Sequence, residues 1–69
     1  MGRTFVEILN QYRSDRAAQM LVMTELTLVE ITLECGFQDQ SYFGKVFRRH
    51  YGLSPAKYRS EKTSFENRK

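Results

Sequence analysis

Residues Cys35–Arg59 read CGFQDQSYFGKVFRRHYGLSPAKYR, and the fold turns on how this stretch divides. Gly36 and Gly52 are its two break points, because glycine alone adopts positive φ without steric cost. Between them Asp39 is placed to cap a helix over 39–51, with Phe43, Val46, Phe47 and Tyr51 on its inner stripe. After Gly52, Ser54-Pro55 is an N-cap followed by an N1 proline, which opens a short helix over 54–62. From Thr63 the only large apolar residue is Phe65, so 63–69 is expected to be a disordered tail.

Upstream, the same punctuation recurs. Thr27-x-x-Glu30 is a capping box for a helix over 27–35. Leu28, Ile31, Thr32 and Cys35 share one face of it, at i, i+3, i+4 and i+7. A second box, Thr4-x-x-Glu7, opens a helix over 4–23 that meets neither Gly nor Pro. Phe5, Ile8, Leu9, Tyr12, Ala17, Met20 and Leu21 supply its apolar stripe, and it is longer than one face of a small bundle requires. The expectation is an all-α fold: a small helical bundle preceded by a long linker helix, in a single domain over residues 1–62.

Helices 27–35 and 39–51 are joined by a tight turn at Gly36, which is the layout of a helix-turn-helix. In that motif the second helix enters the DNA major groove. With Phe43, Val46 and Phe47 inward, Gln40, Ser41, Gly44, Lys45 and Arg48 face outward without a carboxylate among them. Gln pairs with adenine, Lys donates to guanine O6 or N7, and Ser contacts either. Arg48, Arg49, Lys57 and Arg59 suit phosphates, which set affinity more than specificity.

Charge points the same way. Residues 1–39 carry three cations and six carboxylates, and residues 40–69 carry eight cations and two carboxylates. The basic half contains most of the opening stretch and favours a polyanionic partner. A solvated basic surface is the competing reading of charge alone. The 69 residues hold one Cys and one His, too few for a disulfide or an ordinary zinc site, so no metal or cofactor is implied and a reducing cytoplasm is the default. No apolar run is long enough to span a membrane, the first residues lack a signal-peptide core, and no constellation suits an enzyme.

The stretch GFQDQSYFGKVFRRHYGLSPAKYR closely resembles the C-terminal signature of AraC/XylS-type bacterial transcription regulators. Gly36, Phe37, Ser41, Tyr42, Phe43, Phe47, Gly52, Ser54, Pro55, Tyr58 and Arg59 match its pattern. LNQYRSDRAAQML resembles the family's linker helix through Leu9, Asn10, Arg13, Ala17 and Leu21, so the likeness covers about residues 2–60. It implies a homeodomain-like helix-turn-helix that binds double-stranded DNA in transcription regulation. By position it implies base contacts at Gln40, Ser41 and Lys45; Gly44 is expected among the phosphate contacts with Arg48, Arg49, Lys57 and Arg59. It also implies a preceding helix-turn-helix unit that this chain lacks, so a fragment or truncated product is expected. Three positions depart from the pattern: Gly44 replaces a Ser or Thr, Thr32 a small Ala, and Ile8 an aromatic.

Other residues are read as structural. Tyr42 is expected at the core edge with a wet hydroxyl, Cys35 as a small buried hydrophobe, and His50 as an exposed helix residue. Val29 and Leu33 lie away from the core stripe of their helix and, with the free face of helix 5–23, offer a protein contact. Self-association or a contact with RNA polymerase is the alternative function on that basis.

Overall fold

The computed structural model describes the backbone of residues 3–67 and the side chains of residues 3–63. Four helices follow in order: α1 (Phe5–Met23), α2 (Leu28–Glu34), α3 (Gln40–Tyr51) and α4 (Pro55–Asn67), with no strand among the described residues. Each start has a physical cause. Both capping boxes close: Thr4 Oγ1 accepts from Glu7 N at 3.0 Å and Thr27 Oγ1 from Glu30 N at 3.1 Å, while each Glu carboxylate accepts from its cap's own N–H. Asp39 Oδ1 accepts from Tyr42 N at 2.7 Å, and Ser54 Oγ accepts from Lys57 N at 3.2 Å.

The turn between α2 and α3 depends on Gly36, whose φ is +84°. Phe37 N donates to Thr32 O and Gly36 N to Leu33 O, the crossed pair that satisfies the last carbonyls of a helix ended by a left-handed residue. Thr32 is buried, and its hydroxyl donates back to Leu28 O at 2.7 Å, so its polar atom is satisfied inside α2.

Ala17, Leu21, Ile31, Phe43 and Phe47 are fully buried at the centre of the core. Phe37 lies 5.0 Å from Phe43 between ring centroids, Phe47 stacks on Tyr51 at 4.6 Å, and Tyr58 meets Phe47 edge-on at 5.3 Å. Pro55, at the start of α4, is buried too. These rings join α3 to α4.

Two expectations need correction. Phe5, Ile8 and Tyr12 do not face the core; they are 76%, 53% and 59% exposed. At about 100° per residue, the row that includes buried Ser14, Ala17, Ala18 and Leu21 continues back through half-buried Asn10 and Glu7. Phe5 and Tyr12 lie on the opposite side of the cylinder. The second correction concerns the end of the chain. The helix expected to stop at 62 runs to Asn67. No Gly or Pro interrupts it, and Thr63 Oγ1 donates to Arg59 O at 2.7 Å. The remainder of the expected tail, 68–69, lies outside the described residues, as does the side chain of Phe65.

Candidate nucleic-acid interface

The face of α3 that could meet a groove follows from the burial of the opposite face. Phe43, Val46 and Phe47 are buried, which turns Gln40, Ser41, Lys45 and Arg48 outward, and all four are exposed. They occupy adjacent turns of one row. Gly44 lies in the middle of that row, half-buried, and a Cβ built on it would meet nothing within 4 Å. The row therefore has a shallow central step across which a phosphate backbone or base edge can approach closely. Arg48 and Arg49 also fall in the last turn of α3, where cations offset the carbonyl end of the helix dipole.

On α4, Lys57 is exposed. Arg59 is different. Its Nε donates to Leu21 O at 2.9 Å and its Nη2 to Thr24 O at 3.1 Å. Those are terminal carbonyls of α1 and its C-cap, which no α1 amide can reach. Arg59 is a clasp between α4 and α1.

Tyr42 packs edge-on to Phe37, with ring centroids 6.2 Å apart, and its hydroxyl accepts from Asn10 Nδ2 at 3.1 Å. That bond links α3 to the first half of α1, and pattern reasoning missed it because the partners lie 32 residues apart. Beside it, α1 and α3 enclose a groove of about 390 Å³. Arg13 folds over Gly36, its Nε 3.3 Å from where a Cβ would stand. On the far flank, Tyr51 Oη donates to Asp15 Oδ1 at 2.7 Å. Its phenol is pushed up to about 12 by burial first, then by the hydrogen bond to Asp15 and the charge of Asp15 and Tyr58. Cys35 is buried with its Sγ 3.8 Å from Met20 Sδ, and burial pushes its thiol up, so it is an inert core residue. No cluster of metal-ligating side chains occurs among the described residues. No helix among them is long and apolar enough to cross a membrane.

Known proteins share this arrangement. A family profile described as a helix-turn-helix domain matches residues 1–61. The transcriptional activator RhaR of Enterobacter sp. (strain 638) is 40% identical over 58 residues, covering 84% of this chain and 21% of that protein. The transcriptional regulator GadX of Escherichia coli O6:H1 is 33% identical over 57 residues, covering 83% of this chain and 21% of that protein. The chain thus spans about a fifth of the length of these curated relatives. Among solved structures, the C-terminal domain of AraT, a response regulator from Geobacillus stearothermophilus, superposes with a TM-score of 0.82 at 37% identity, over 87% of this chain and 50% of that one. An exposed, carboxylate-free outer face on the second helix of a helix-turn-helix and a profile match over nearly the whole chain agree: the chain belongs to the AraC-type helix-turn-helix family of DNA-binding transcription regulators.

Proposed function

We propose that this chain binds double-stranded DNA sequence-specifically, with α3 in the major groove, as one part of a bacterial transcription regulator. The observation that carries it is the α3 outer face: Gln40, Ser41, Lys45 and Arg48 exposed in one row around an open step at Gly44. Gln40, Ser41 and Lys45 take base edges, and Gly44, Arg48, Arg49 and Lys57 take phosphates. Arg59 is left out of the phosphate set, because its guanidinium already holds two carbonyls of α1 and its cap. A single recognition helix makes few contacts, so affinity falls near the non-specific range of about 10⁻⁴–10⁻⁶ M at physiological salt. The test is fluorescence anisotropy against a selected duplex and its scrambled counterpart. Lys45→Ala narrows the difference between the two duplexes, and Lys57→Ala weakens both alike. Equal losses on both duplexes from both variants refute the assignment of roles.

A second reading is favoured by one observation. Phe5 is 76% exposed and Leu33 68% exposed, with Val6, Ile8, Tyr12 and Val29 also more than half exposed. That much apolar surface on α1 and α2 suits a protein contact, whether with a second copy or with RNA polymerase. Sedimentation across a wide concentration range separates the two: a strict monomer removes the self-association reading.

A further inference from the structure

The groove between α1 and α3 lies beside the outer row of α3 and shares Lys45 with it, and three of its lining side chains are cationic. Arg3, Asn10, Tyr42, Lys45, Arg49 and His50 line it, with Glu7 as its one carboxylate and Val6 and Val46 as its apolar part. Arg3, Lys45 and Arg49 are all exposed at its rim. The Glu7 carboxylate is tied back into the first turn of α1, where it accepts from Thr4 N at 3.2 Å, so part of its charge is spent on the capping box. Three guanidinium or ammonium groups against one tethered carboxylate leave the groove cationic.

Its interior is also pre-set for a hydrogen-bond acceptor. Tyr42 Oη accepts from Asn10 Nδ2 at 3.1 Å. With that lone pair engaged, the phenol's own proton is available to a group in the groove. A hydroxyl donor fixed by a neighbouring amide, flanked by cations from two helices, matches the tetrahedral oxygens of a phosphate. Lys45 belongs to both surfaces, because it lies in the recognition row of α3 and lines the groove.

We infer that the α1–α3 groove is a phosphate site, formed by the Tyr42 hydroxyl with Arg3 and Arg49 and bordered by Lys45, and that its occupant is a backbone phosphate of the DNA lying across α3. This rests on the proposed DNA binding and extends it to α1, which then anchors the duplex beside the recognition helix. It makes the Asn10–Tyr42 bond a positioning contact, because Asn10 orients a donor without touching the ligand.

The test measures duplex affinity at several salt concentrations for the parent chain, Arg49→Gln and Tyr42→Phe, together with an NMR titration by inorganic phosphate without DNA. Arg49→Gln is expected to weaken the duplex about 5- to 10-fold, and Tyr42→Phe about 3- to 10-fold. Arg49→Gln should also flatten the log–log salt slope by about 0.9, as for one lost phosphate contact. Parent-like affinity and slope in both variants, with DNA still bound by the parent, overturn the groove site together with the phosphate role of Arg49, and leave the base contacts of α3 standing. If the parent binds no duplex but inorganic phosphate shifts the Tyr42, Lys45 and Arg49 amides, the site stands with a free phosphate as its ligand, and the DNA reading is the one that fails. Neither duplex binding nor phosphate shifts overturns both.

Discussion

Replacing Arg59 by Gln separates a structural clasp from a DNA contact. The guanidinium donates two charge-assisted hydrogen bonds, at 2.9 and 3.1 Å, to Leu21 O and Thr24 O. Bonds of this kind contribute roughly 1.5–3 kcal/mol each when well buried. The Thr24 end is exposed and competes with water, so the pair together is worth about 2–3 kcal/mol, including the favourable placement of a cation at the carbonyl end of α1. A chain of 69 residues has a total stability on the order of 3–10 kcal/mol. Arg59→Gln therefore removes a large share of it, and Tm falls by roughly 8–24 °C. Arg59→Lys keeps the charge but not the two-point fork and falls between the parent and Gln. Thermal unfolding followed by circular dichroism measures this. An unchanged Tm, combined with a duplex salt slope reduced by about 0.9, would refute the clasp and return Arg59 to the phosphate set.

Other outcomes follow from single sites. Gly44→Ala stabilises the chain by about 0.5–1 kcal/mol, because the added Cβ meets nothing within 4 Å in a helix interior; a lower urea midpoint contradicts this. Ser14 is fully buried and its Oγ has no partner, so Ser14→Ala is neutral or stabilising by up to about 1 kcal/mol in the same assay; a loss above that range means the hydroxyl is satisfied after all. Tyr51 ionises well above the ordinary phenol range in an ultraviolet titration, since its phenol is pushed up to about 12 by burial and Asp15. Its pKa is higher folded than unfolded, so its contribution is complete below pH about 10 and is lost as pH rises through the folded value. Tyr51→Phe removes that part of the alkaline decline in stability, and an identical pH profile in the variant contradicts it.

Local chemistry made most of the helices legible. Thr4, Thr27, Asp39 and Ser54 each accept an early backbone N–H through a side-chain oxygen, and Gly36 and Gly52 each take positive φ at a helix end. Such signals lie within a few residues of their effects, and a linear chain displays them. The α3 inner stripe was legible for the same reason, since Phe43, Val46 and Phe47 differ sharply from their outward neighbours. The α1 stripe misled because this helix has two faces with apolar residues. Ser14, Asn10 and Glu7 continue the core-facing row, while Phe5 and Tyr12 stand opposite, and periodicity alone does not say which side a neighbouring helix covers. Within the candidate site, the recognition row followed from the burial of its reverse side. The Arg59 clasp and the Asn10–Tyr42 and Asp15–Tyr51 bonds did not, because their partners are 32 to 38 residues apart and polar residues leave no periodic trace of whom they meet.

The central claim is that this unit inserts α3 into DNA. An amide-resolved NMR titration of the labelled chain with a pool of duplexes, at low and at moderate salt, tests it most directly. Shifts concentrated on Gln40–Arg48 and diminished by salt are the predicted result. A folded chain whose α3 amides do not move at low salt would contradict it.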